Sequence, residues 1–181
     1  METIIITLDN GEKKEYVKGI KLKEVINNVK NKLTDTTVGA LYNNKMIDLE
    51  DTLTKSGKLS LYDVNTKDGN KIYEKGLLYL FEVSAVEVLG KDTTIIVKHS
   101  IDKGVYCKVS KPLDEETLTK IKKQMKEKVK ENTPFKKIET TKTEAIAYFN
   151  SIKREDKVRT LEYMKTNFVT LYKLGDTYNY I

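Results

Sequence analysis

The chain has 181 residues, 39% of them hydrophobic, and its 33 basic and 27 acidic side chains leave a net charge of +6. That length allows one large domain or two small ones, and no apolar run approaches the roughly 18 residues of a membrane span. A single cysteine excludes an internal disulfide and fits a reducing cytoplasm.

The N-terminus, Met1 to Leu8, has no basic region before its apolar residues, so it reads as a strand start and not a signal peptide. Charge is spread unevenly. Residues 1–63 carry ten lysines against ten carboxylates, whereas the remainder carries 23 basic and 17 acidic residues. The whole positive excess therefore lies in the second part. An anionic partner such as RNA is expected there, with a plain solvated lysine surface as the competing reading.

Glu2–Leu8 alternates as a strand, and Lys13–Val17 returns after Asp9-Asn10-Gly11-Glu12, where Asn-Gly suits a type I′ turn. Leu22, Val25, Ile26 and Val29 recur at helical spacing, so a helix is expected over Lys21–Lys32. Thr37–Tyr42, Lys45–Leu49 and Leu59–Tyr62 follow as short strands, with a turn at Asn43-Asn44. Hairpin, helix and short strands within about 60 residues form a β-grasp pattern, as in ubiquitin. Asn65–Asn70 reads as a polar linker.

Tyr73–Leu89 is expected to be a buried central helix, apolar on most faces, with Gly90 as its C-cap. Ile95–Val109 reads as strand, turn, strand, with Gly104 in the turn. Ile95, Val97, Val105, Cys107 and Val109 take the period-2 positions of a half-buried strand. Asp114-Glu115-Glu116 opens a helix with acid at its N-terminus. Leu118, Ile121, Met125 and Val129 form its apolar stripe, and lysines cover the rest. Phe135–Thr140 is a strand, Thr141 or Thr143 caps a helix through Ile152, Asp156–Met164 is a short helix, and Phe168–Lys173 is a strand. The chain stops in an apolar-polar alternation at Tyr178–Ile181, so it is expected to be a piece of a longer protein.

Ile6–Gly11, Tyr16–Leu22 and Ala40–Leu49 resemble the TGS domain, found in threonyl-tRNA synthetases, certain GTPases and stringent-response enzymes. The resemblance covers residues 1–63 and implies a small regulatory or RNA-contacting module without catalytic residues. From Tyr73 onward the chain resembles the second domain shared by threonyl- and alanyl-tRNA synthetases. Ile101–Cys107, Leu113–Met125, Thr143-Glu144-Ala145 with Phe149, and Leu171–Asp176 carry that resemblance. The expected fold is therefore α+β, a β-grasp domain over 1–63, a linker over 64–71 and a synthetase-type second domain over 72–181.

In that family the resemblance implies an editing cleft. Two histidines at i, i+4 on the central helix face one side and can hold a metal or a water. A Cys and a His follow near where this chain ends. Gly76 and Leu80 occupy the corresponding helix positions here, and neither can ligate a metal or move a proton. No metal is expected, and no hydrolysis. His99, Ser100, Lys103, Tyr106 and Cys107 are the candidate lining of a degenerate cleft, for a nucleotide or a tRNA end. Plainer alternatives exist: a locally bonded strand-end His for His99 with Ser100, a core thiol for Cys107, a cleft-wall aromatic for Tyr106 and a turn lysine in solvent for Lys103. Lys120, Lys122, Lys123, Lys126 and Lys130 are the candidate RNA-contacting face.

The phrase Lys98–Cys107 also resembles bacterial uridine kinase-like nucleoside kinases, in which these two domains precede a P-loop kinase domain. No Gly-x-x-x-x-Gly-Lys-Ser/Thr occurs in the chain, so that resemblance implies ATP, Mg and phosphoryl transfer only in a kinase domain downstream. The expectation is a cytoplasmic, non-catalytic binding region of such a kinase. The alternative is a tRNA-binding or editing region of a threonyl-tRNA synthetase-like protein.

Overall fold

A computed structural model describes residues 2–29, 36–101 and 104–180, and its α+β chain divides into two compact units, Met1–Gly76 and Leu77–Ile181. In the first unit β1 (Thr3–Leu8) runs antiparallel to β2 (Lys13–Val17) and parallel to β7 (Gly57–Asp63). With β4 (Thr37–Tyr42) and β5 (Lys45–Ile47) these strands make one sheet in the order β2-β1-β7-β4-β5. β3 (Ile20–Lys21) and β6 (Thr52–Leu53) form a separate two-stranded ladder. Helix α1 (Leu22–Asn28) buries Leu22, Val25 and Ile26 in the same core as Ile4, Ile6, Leu8, Leu53 and Leu59. The part of the expected helix beyond Val29 lies outside the described residues.

The type I′ geometry expected at Asn10-Gly11 is not found there. Asn10 is not left-handed; only Gly11 is, at φ +83°. The amide of Gly11 donates to Leu8, and that of Leu8 to Glu12, a type I turn closed by a glycine bulge. The two-residue turn with positive φ at both positions is Asn43-Asn44, between the paired Tyr42 and Lys45.

The polar stretch expected as a linker is largely helical, because α2 spans Lys67–Leu89. Thr66 caps it. Its hydroxyl donates to the Asp63 carbonyl at 2.7 Å and accepts the Gly69 amide at 3.1 Å. A cap pattern therefore overrode the composition of Asn65–Asn70.

In the second unit β8 (Ile95–Ile101) and β9 (Gly104–Val109) form a two-stranded antiparallel ribbon. Helix α3 (Glu115–Lys130) follows, capped by Asp114, whose carboxylate accepts the Thr117 amide at 2.8 Å. Then come β10 (Lys136–Thr141), α4 (Lys142–Ser151), α5 (Glu155–Tyr163), β11 (Phe168–Leu174) and β12 (Thr177–Asn179). The last strands make an antiparallel sheet in the order β10-β11-β12. One face of β11 buries Val169 and Leu171 against Ala145, Phe149 and Leu161 of α4 and α5. The other meets α2, where Leu174 packs with Tyr79 and Val83. A third cluster joins Ala85, Ile95 and Ile121, with Cys107, Val109 and Met125 beside it.

Helix α2 is less buried than its composition suggests. Tyr79, Val83, Ser84 and Ala85 are buried, whereas Tyr73 and Leu77 are exposed. No helix among the described residues is long and apolar enough to cross a membrane.

Candidate functional site

The ribbon does not follow a single alternation. Ile95 is buried, while Val97, opposite Cys107 on the same face, is 52% exposed; the register then shifts between Val97 and His99. A bulge there sends the following residues to the opposite faces from those a strict period of two would give. His99 consequently pairs with Tyr106, and Ser100 with Val105. The His99 and Tyr106 rings stack with centroids 5.2 Å apart and planes 12° from parallel. Both side chains are exposed, on the face that also carries Ile96 and Lys108.

Ser100 and Cys107 sit on the other face, with Val105 and Val109. Cys107 is half-buried, and burial pushes its thiol above the ordinary cysteine range, with the Glu82 charge adding to the effect. A protonated thiol of this kind is a poor nucleophile. Lys103 lies outside the described residues. Of the five candidate cleft residues, the fold thus brings His99 and Tyr106 together and separates them from Ser100 and Cys107.

Gly76 and Leu80, one helical turn apart on α2, offer hydrogen and an aliphatic chain. Between them lies Tyr79, 1% exposed, its hydroxyl 2.7 Å from the carbonyl oxygens of both Tyr172 and Thr177. Burial raises its pKa well above the usual phenol value. Among the described residues no three His, Cys, Asp or Glu side chains gather in a way that would hold a metal ion. The residues present do not fit an editing-type metal.

The five candidate lysines of α3 are all exposed. They are not equivalent. Lys120 pairs with Glu116 at 2.6 Å and Lys123 with Glu127 at 3.9 Å. Lys122, Lys126 and Lys130 have no carboxylate partner among the described residues. The expected apolar stripe is also adjusted. Ile121 is buried, but Val129 and Leu118 are 66% and 46% exposed, and Lys128 turns inward instead to meet Glu87 at 2.8 Å.

Sequence reasoning missed one polar cluster. Glu82, in the apolar run of α2, accepts from Arg154 and from Asn179 on its two oxygens. Arg154 in turn grips both oxygens of Asp156, at 2.8 and 2.9 Å. Burial pushes the neighbouring Lys157 ammonium below the usual lysine range, and its Nζ donates to the Tyr180 carbonyl at 3.2 Å. A signal was present: one of only two arginines in a lysine-rich chain, and a carboxylate, Glu82, set between Phe81 and Val83 in the apolar part of the helix. Arginine's planar fork suits a buried pair better than lysine. Every member is satisfied within the cluster, so it is a structural lock and not an open site.

Compared with known proteins, the chain is similar to threonine–tRNA ligases. It is 27% identical over 179 residues to the threonine–tRNA ligase of Caldanaerobacter subterraneus subsp. tengcongensis, covering 97% of this chain and 28% of that enzyme. The figures for Syntrophotalea carbinolica are 27% over 180 residues, with 97% and 28% covered. For Thermotoga petrophila they are 27% over 177 residues, with 96% and 27% covered. The similarity is distant and falls in the N-terminal part of those enzymes. The chain thus spans little more than a quarter of the length of these relatives. No family model matches it.

Proposed function

We propose that the chain is the N-terminal region of a threonyl-tRNA synthetase-like protein, one that binds tRNA without hydrolysing its ester. The observation that carries this is the similarity to threonine–tRNA ligases along 96–97% of the chain. The order β2-β1-β7-β4-β5, with α1 in the core, supports a TGS-type β-grasp module over residues 1–63. The elements from α2 onward support a synthetase-type second domain from residue 72, with the first turns of α2 in place of a loose linker. The nucleoside-kinase reading, with its downstream ATP and Mg site, gains nothing from these relatives.

Binding without hydrolysis rests on side-chain chemistry. Gly76 and Leu80 have no imidazole, Cys107 is held as a thiol, and His99 is stacked on Tyr106 on the opposite face of the ribbon. None of these can act as a paired nucleophile and base. The test is twofold. A threonine tRNA transcript should bind with an affinity that falls steeply between about 50 and about 200 mM salt. Seryl-tRNA should lose its amino acid no faster with the protein than without it. Accelerated deacylation that disappears in His99→Ala would overturn the non-hydrolytic reading, and absent or salt-independent RNA binding would remove the tRNA reading.

A further inference from the structure

We infer that Lys122, Lys126 and Lys130 form the ridge on which an RNA phosphate backbone lies. The inference rests on the tRNA-binding reading above and names the surface responsible. Residues at i, i+4 and i+8 share one face of a helix, so the three ammonium groups stand in a single row. At 1.5 Å rise per residue they are about 6 Å apart, far enough for each to meet a different phosphate of one strand.

What singles out this row is which lysines are already neutralised. Three of the six lysines on α3 have a carboxylate within ion-pair distance: Lys120 with Glu116, Lys123 with Glu127, and Lys128 with Glu87. The three left over all fall on one row, and all three are exposed. Compensation of the helix dipole accounts for basic residues in the last turn, Lys128 and Lys130, but not for Lys122, two turns further back. Asp114, Glu115 and Glu116 stand at the start of the helix, and in its C-terminal half Glu127 is paired with Lys123 while Glu131 is the C-cap beyond the row. Leu118 and Val129 lie exposed alongside the row. That mixture suits a strand presenting both phosphate and the less polar ribose.

The test uses the full chain carrying Lys122→Gln, Lys126→Gln and Lys130→Gln together. A control of equal charge loss carries Lys13→Gln, Lys45→Gln and Lys55→Gln, three exposed lysines of the first unit. Binding of a threonine tRNA transcript is followed against salt, with circular dichroism checking that both variants fold. Each phosphate contact contributes about 0.7 to 0.9 to the slope of log affinity on log salt. The ridge variant should therefore flatten the slope by about 2 and weaken low-salt binding at least about tenfold, while the control keeps the wild-type slope. An unchanged ridge variant, with wild type still binding steeply, overturns the ridge alone. Equal flattening in both variants also overturns it, since net charge then suffices. Failure of the wild type to bind RNA removes the tRNA reading as well, and capture of the protein by phosphatidylserine vesicles in place of RNA would assign the row to a membrane surface.

Discussion

Gly69 occupies a position where no other residue fits. A Cβ there would stand 1.9 Å from the Asp63 carbonyl oxygen and 2.9 Å from the Thr66 hydroxyl. Both neighbours are committed. The Asp63 carboxylate accepts from the Thr36 hydroxyl and, at 2.7 Å, from the Asn65 amide, and those bonds hold it below the usual carboxylate range. Thr66 is the cap of α2. In a helix exposed to solvent, Gly→Ala stabilises by about 1 kcal/mol. Here the overlap is with backbone, so Gly69→Ala should instead destabilise by about 1–3 kcal/mol. Urea unfolding reads this directly: the midpoint falls, and a midpoint that holds or rises would mean that the Asp63 turn can give way.

Caps decide several boundaries that periodicity leaves open, and α4 is the clearest. The Thr141 hydroxyl accepts the Glu144 amide at 3.2 Å, while Glu144 accepts from the Thr141 amide at 3.0 Å, a complete capping box. Thr141→Ala should cost about 1 kcal/mol in the same unfolding measurement. It should also alter the response to acid. Hydrogen bonds from the Thr141 and Thr140 hydroxyls and the Thr141 amide hold the Glu144 carboxyl below its ordinary value. A carboxylate whose pKa is lower in the folded state stabilises above its unfolded pKa, about 4.3, and loses that contribution as pH falls through the folded value. The variant should therefore lose less stability than wild type on going from neutral pH to about 3; an equal loss would separate the carboxylate from the cap. The core helix was legible because Ala145, Ile146, Phe149 and Ile152 are local and periodic, while its cap stayed open between Thr141 and Thr143 until the box with Glu144 decided it. The ribbon was only half legible. Val105, Cys107 and Val109 keep their alternation, but the bulge after Val97 leaves no local mark on an apolar, β-branched run. Lys128 replaced Val129 at the inner edge of α3 for a non-local reason, the position of Glu87 on another helix.

At the scale of the molecule, charge and polar burial divide the labour. The excess positive charge lies after residue 63, and what holds that part together includes an ionic lock spanning long sequence separations. Arg154, between α4 and α5, has a side chain only 8% exposed, and Glu82 on α2 only 14%. Asn179 on β12 completes the set by donating to the second Glu82 oxygen, 97 residues away in sequence. Burial opposes the arginine's charge, but the bonds to Asp156 and the Glu82 carboxylate outweigh it and hold the guanidinium firmly protonated. A buried pair of this kind adds little net stability over a well-packed apolar pair, yet removing one member strands the other in a poor dielectric. Arg154→Leu should therefore destabilise by about 3–5 kcal/mol, because Glu82 keeps its charge and loses its main donor. The double variant Arg154→Leu with Glu82→Leu should recover most of that loss, since the more buried carboxylate goes with its partner and only the partly exposed Asp156 is left without the guanidinium. The cycle separates two origins for the cluster. If the double variant is as unstable as the single one, the guanidinium's grip on Asp156 carries the stability. If it recovers, the pair serves mainly to fix which segments meet, joining α2, the α4–α5 connection and β12 at one point that interchangeable aliphatic contacts would leave unspecified.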